Sequence, residues 1–391
     1  MSLKEKLNIG LIMLIFSLLM GIFSGMSIFE LLKSLILVVT DSATLNVVGA
    51  IVLILILGNL LNEAGSLRKI NLSVETFIKD RRLTLIIPSA LMGLLPAPAG
   101  AMLSAPVVEE SGNKMGLSAE IKTFLNYWFR HVWEYVWPIY PGIILAVAIL
   151  NVPLQKLIVA QLPLTLAAIF AGVVFGLGKI SDKKPEEDGK KTFKGVYEFF
   201  LYAWPIFAII FLVLVFKVDL ILSLLIIVVF ALFITKMDKK RLPFILKNSL
   251  SWRMILLIVS VMLFKRILET SGMLSVILGL FDYLKVSSLI TLFSIPFFVG
   301  FVTGVTPAFV GISLPVLLPI IGTSSPDLTY VMLAYAGGFS GYLLSPVHLC
   351  LVVTVQYFKA DFTKVYKLVI LPVVFVALVA FTIAILRDAL G

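Results

Sequence analysis

Apolar runs of about 20 residues follow one another along almost the whole chain, parted by short polar stretches. Each is long enough to cross a ~30 Å hydrocarbon core. The pattern predicts crossing helices over 8–25, 28–43, 45–64, 154–178, 196–216, 218–235, 250–270 and 364–387. Two longer apolar segments, 119–150 and 326–358, carry Pro and Gly in mid-span and read as broken helices. Two more, 83–108 and 286–320, hold prolines at membrane depth, most densely in LLPAPAGAMLSAPVV (94–108). Proline breaks a helix and removes a donor. Hydrocarbon offers no partner for the backbone groups set free, so such a break must be buried in protein or line a polar cavity. The stretches 66–82 and 273–285 read as interfacial arms leading into these segments.

Composition and charge turn this pattern into a topology. With 60% apolar and 14% charged residues and a mean hydropathy of +1.09, the chain is an all-α integral membrane protein, not a soluble domain. Its single Cys350 excludes a disulfide framework. The basic, apolar N-terminus lacks a small-residue cleavage site and reads as a retained first helix. The net charge of +10 sits in short clusters: Arg68–Arg82, Lys179–Lys194, Lys236–Arg253 and Lys359–Lys367. That distribution suits lipid headgroups and cytoplasmic loops rather than nucleic acid. All four clusters fall on the cytoplasmic side only if 83–108 and 286–320 enter and leave on one face. They are therefore read as re-entrant hairpins, leaving ten crossings in the cytoplasmic (plasma) membrane with both termini outside. For 286–320, two thin crossings satisfy the same parity.

The chain also repeats itself. PAGAMLSAPVV (98–108) aligns with PAFVGISLPVL (307–317), LLNEAGSL (60–67) with ILETSGML (267–274), and LNY (125–127) with LTY (328–330). With one gap, EYVWPIY (134–140) aligns with GYLLSPVH (341–348). The chain thus divides into a first repeat, 1–178, a cytoplasmic linker, 179–195, and a second repeat, 196–391. Five crossings per repeat make the second inverted relative to the first, an organisation found in secondary transporters.

Two inverted five-helix repeats, each with a hairpin followed by a broken helix, resemble the ion transporter superfamily. Through RHVWEYVWPIYPG (130–142), the chain more closely resembles the uncharacterised ten-helix membrane family labelled domain of unknown function 401. The superfamily resemblance implies an elevator-type carrier, often a homodimer, whose moving part is built from the hairpins and broken helices. Sodium–dicarboxylate symporters of that superfamily carry Ser-Asn-Thr at both hairpin tips. Here the tips read LPAPAG and TGVTPA, a departure that speaks against dicarboxylate specificity and sodium coupling.

Candidate site residues lie at the tips and the breaks. Pro98 and Ala99 mark the first tip; Thr303, Thr306 and Pro307 mark the second. Proline suits the first position of a returning half-helix, and Thr306 suits its N-cap. Half-helix N-termini at the midplane suit an anion. On the alternative reading the prolines only shape the turns. Thr303, Thr306 and nearby carbonyls are also candidate Na⁺ ligands; no firm metal motif is present. In the first broken helix, Arg130 is positioned to meet an anion, with His131 and Glu134 handling a coupling proton and Asn126 adding a polar contact. The competing reading is an i,i+4 ion pair between Arg130 and Glu134 that only neutralises itself. In the second, His348 follows the Ser345–Pro346 break and is expected to face Tyr140.

The chain contains no H-E-x-x-H, no G-x-S-x-G and no Walker phosphate loop. It is therefore not read as an enzyme, and no cofactor is expected. The expected function is a secondary active transporter of a small anionic solute, coupled to H⁺ in preference to Na⁺. Its expected partners are the lipid bilayer, that solute and a second copy of the chain. A carrier or flippase for a lipid-linked anion and an ion channel are the alternatives, ahead of a membrane-embedded enzyme.

Overall fold

The computed structural model describes residues 8–77, 80–95, 100–180, 193–234 and 239–390, and among them all regular structure is helical. The first three helices are α1 (Ile9–Phe23), α2 (Ile28–Thr40) and α3 (Ser42–Glu63). A short arm, α4 (Ser66–Phe77), leads to the pair α5 (Arg81–Met92) and α6 (Ala101–Lys114). Then come α7 (Ala119–His131), α8 (Pro141–Leu150) and α9 (Leu154–Phe175). The second half follows with α10 (Phe193–Ile210), prolonged by a π turn, α11 (Leu220–Ile234), α12 (Leu242–Ser249) and α13 (Trp252–Thr270). Another arm, α14 (Met273–Leu284), precedes the pair α15 (Ser288–Thr303) and α16 (Thr306–Ile321). The chain closes with α17 (Leu328–Leu344), α18 (Leu349–Phe358) and α19 (Phe362–Leu390).

Five spans, Ser42–Glu63, Leu154–Phe175, Lys194–Val215, Leu328–Phe358 and Phe362–Leu390, are long and apolar enough to cross a membrane. The outward surface agrees, because large apolar side chains such as Phe23, Ile28 and Phe233 are each at least 75% exposed. A soluble protein rarely leaves such a surface uncovered. The charges run the other way: Arg130, His131 and Glu134 are buried inside the bundle. This is a membrane-type helical protein. Among the described residues fewer helices are long enough than the ten crossings expected, since α1 and α11 have 15 residues each, about 22 Å at 1.5 Å per residue.

Local signals explain where the helices begin. The Ser27 hydroxyl accepts from the Glu30 N–H while Glu30 accepts from the Ser27 N–H, a reciprocal cap at the start of α2. Asp327 accepts from the N–H groups of Thr329 and Tyr330 at the start of α17. The residue at the N-cap of α16 is Val305, with extended backbone, not Thr306 as expected. Thr306 is already helical, and its side chain lines a cavity.

Backbones approach most closely between α15 and α17. A Cβ on Gly300 would overlap the Gly338 carbonyl, and on Gly337 or Gly341 it would overlap the carbonyls of Phe293 or Phe297. Gly337 and Gly341 are one helical turn apart, the small-x-x-x-small pattern that lets membrane helices touch backbone to backbone. α13 packs on α1 through Gly10, whose carbonyl accepts from the Ser260 hydroxyl at 2.8 Å.

Candidate functional site

The first break lies between α7 and α8. Helix α7 ends at His131, turns of the 132–140 segment follow, and Pro141 restarts the helix at its first position. This segment faces the C-terminal end of α5, whose last carbonyls have no partner within the helix. Side chains from 130–140 supply the donors. Trp133 Nε1 donates to Ala90 O at 3.0 Å and Trp137 Nε1 to Leu94 O at 2.8 Å. The Tyr140 hydroxyl donates to Gly93 O at 2.6 Å, and Arg130 Nη2 to Leu95 O at 3.1 Å. Gly93 lies so near the Arg130 carbonyl that a Cβ would collide with it. The guanidinium therefore stands at the negative end of a helix dipole, where a cation is stabilised.

The second break lies between α17 and α18, over Ser345–His348, and faces the two-residue turn joining α15 to α16. Gly304 takes a left-handed φ of +60°, and a Cβ there would come within 2.9 Å of Ser345 Oγ and 3.0 Å of the His348 nitrogen. Conformation and close approach both require glycine.

Both breaks and the second turn open onto one cavity of about 210 Å³. Arg130, Glu134 and Tyr140 come from the first break, Thr306 and Pro307 from the turn, and Tyr342, His348 and Cys350 from the second. Ile51 and Ile54 of α3 and Met254 of α13 form the facing apolar wall. Arg130 Nη1 donates to the Tyr140 hydroxyl at 2.6 Å and reaches Glu134 Oε1 at only 3.4 Å. The tighter contact is thus with the neutral phenol, which accepts from Arg130 while donating to Gly93.

The histidines lie side by side, ring centroids 4.9 Å apart and nearly perpendicular. His131 Nδ1 is 2.6 Å from the Tyr127 carbonyl, which only accepts, so Nδ1 carries the proton. The neutral ring then keeps its lone pair on Nε2, which has no hydrogen bond and stands 3.8 Å from Glu134 Oε1. The Tyr127 hydroxyl donates to Leu343 O at 2.8 Å, so its oxygen accepts from His348 Nδ1 at 2.9 Å. His348 also stacks on Tyr342, centroids 4.0 Å apart.

The cavity thus gathers Arg130, Glu134, Thr306, Pro307 and His348, with His131 directly behind Glu134. Three other candidates have local tasks. Asn126 accepts from Ser89 and Ser104 and donates to Ala101 O, tying α5 and α6 to α7. Thr303 donates back to Val299 O in its own helix. Ser345 accepts from the Val347 N–H at 3.4 Å, within the second break. Pro98 and Ala99 lie outside the described residues. His348 and Tyr140 line the same cavity, and the tyrosine hydrogen-bonded to His348 is Tyr127. Sequence reasoning passed over Tyr342 and Cys350; their position beside the second break, two to three residues from Ser345 and His348, was the available signal.

A family model described as Protein of unknown function (DUF401) matches residues 1–386 of the chain. No curated protein matches it.

Proposed function

The chain belongs to this family of unknown function, DUF401, and from that premise we propose that it is a secondary active transporter of a small anionic solute. The observation that carries this reading is the cavity itself. A buried guanidinium, a carboxylate and an imidazole meet there at two helix interruptions in a membrane-type protein. Buried ionisable groups at membrane depth mark pathways, and discontinuous helices around a central site are the transporter arrangement. The two-residue turn between α15 and α16, which opens onto the same cavity as buried Arg130 and Glu134, supports a re-entrant hairpin there.

In this reading the two halves are inverted repeats in the plasma membrane, with both termini outside and two copies forming a homodimer. The hairpins and broken helices move as an elevator, and the protein acts by binding and moving its solute, not as an enzyme. Arg130 receives the anion, and Glu134 competes with the anion for it. A proton on Glu134 removes that competition, which favours H⁺ over Na⁺ as the coupling ion.

Thermal stabilisation of the purified protein, screened over organic and inorganic anions at two pH values with and without Na⁺, tests the proposal. An anion that stabilises the wild type but not Arg130→Ala, while Lys265→Ala retains the effect, is the expected result. Stabilisation only by neutral or lipid-like compounds overturns it in favour of a lipid-linked substrate. The apolar wall of Ile51, Ile54 and Met254 gives that second reading its footing.

A further inference from the structure

We propose that His131, His348 and Cys350 form a site for a borderline-soft divalent metal ion, represented by Zn²⁺, in the wall of the cavity. One nitrogen of each imidazole and the Cys350 sulfur lie within 4.8 Å of one another. All three residues are more than nine-tenths buried. They come from two packed elements, the end of α7 and the start of α18.

The hydrogen bonds around the rings carry the argument further. Metal-bound imidazoles use one nitrogen for the ion and donate the other N–H to a carbonyl or similar acceptor, which fixes tautomer and orientation. His131 donates from Nδ1 to the Tyr127 carbonyl, and His348 donates from Nδ1 to the Tyr127 hydroxyl. One tyrosine thus orients both rings through their Nδ1 atoms. His131 Nε2 is buried and accepts no hydrogen bond, a state that costs free energy unless something occupies it.

Metal–nitrogen and metal–sulfur bonds of ~2.0 and ~2.3 Å place tetrahedral ligand atoms about 3.5 Å apart. The ligand atoms, within 4.8 Å of one another, would draw together by about 1 Å on binding the ion. Two imidazoles and a thiolate select Zn²⁺ over the oxygen-seeking Mg²⁺ and Ca²⁺. Three protein ligands leave a fourth position, and since His348 and Cys350 line the cavity, that position faces the solute. A divalent ion that displaces the Cys350 thiol proton adds one positive charge to the cavity and releases that proton. The bound metal then attracts an anion alongside Arg130. With both imidazoles committed to the metal, proton traffic falls to Glu134. The metal site itself stands independently of the transport proposal, and only its role toward the solute rests on that reading.

The experiment is a Co²⁺ titration of the purified, chelator-free full chain, read by absorbance. The expected result is one equivalent of Co²⁺ with a sulfur-to-cobalt charge-transfer band, displaced by Zn²⁺. Cys350→Ser should lose that band, and His348→Gln should weaken binding at least about tenfold. X-ray absorption at the zinc edge of the wild type needs no variant and should show one sulfur and two imidazole scatterers. No sulfur scatterer, no charge-transfer band with micromolar Co²⁺, or a band unchanged in Cys350→Ser overturns the proposal. Anion stabilisation measured on the metal-free protein reports separately on the transport reading.

Discussion

Arg130 and Glu134 can be separated as partners of each other and as parts of a site by three variants: Arg130→Gln, Glu134→Gln and the double substitution. The two groups are 3.4 Å apart and each side chain is 3% exposed. At an effective dielectric constant near 20, that separation corresponds to about 5 kcal/mol of attraction. Desolvating the two ions costs several kcal/mol each, so the intact pair is close to neutral in stability. Removing one partner strands the other, at about 3–5 kcal/mol. Arg130→Gln also withdraws the donors to Tyr140 and Leu95, which places it at the upper end. The double variant should be about 2 kcal/mol more stable than the sum of the singles, since contacting residues in one network couple by 0.5–3 kcal/mol. Reversible unfolding of the detergent-solubilised protein in a denaturing surfactant measures all three. Additivity within about 0.5 kcal/mol would refute the reasoning, and Arg130 would then be held by partners other than Glu134, Tyr140 and the Leu95 carbonyl among them. Anion stabilisation should vanish in both variants lacking Arg130 and persist in Glu134→Gln.

Tyr140→Phe removes two buried hydrogen bonds of 2.6 Å, one from a guanidinium; unfolding should show a loss of about 2–4 kcal/mol. Gly341→Ala forces α15 and α17 apart and should cost about 1–3 kcal/mol in the same assay. By contrast, exposed Gly279 in α14 has nothing within 4 Å of an added Cβ, and Gly279→Ala should gain about 0.5–1 kcal/mol. In a Cys350→Ala background, an impermeant thiol reagent applied to intact cells should label Ser324→Cys but not Lys364→Cys; the reverse pattern would invert the proposed topology.

The helices were legible because apolar length and proline position are one-dimensional signals. The interruptions at 132–140 and 345–348 follow directly from Pro138, Pro141 and Pro346, and the two arms from polar residues among apolar ones. The wiring was not legible. The donors to the end of α5 lie 35–47 residues beyond the carbonyls they serve, and nothing in Trp133, Trp137 or Tyr140 announces a backbone acceptor. Asn126 looked like a ligand because an amide in a membrane helix needs partners, but only the fold reveals that two serines and a carbonyl supply them. Cys350, set in an apolar run, gains chemical meaning only once α7 brings His131 beside it.

The cavity has two unlike walls. On one side, Gly300, Gly337 and Gly341 lock α15 to α17 at backbone contact, while indole, phenol and guanidinium donors fasten α5 to the 130–140 segment. On the other stand Ile51, Ile54 and Met254, side chains with no polar hydrogen to give. The first wall is cross-braced, whereas α3 and α13 meet the cavity with apolar side chains. On the proposed elevator reading, shear between the two would break no side-chain hydrogen bond at those three residues, and whatever the braced wall holds would travel with it as cargo on a sledge.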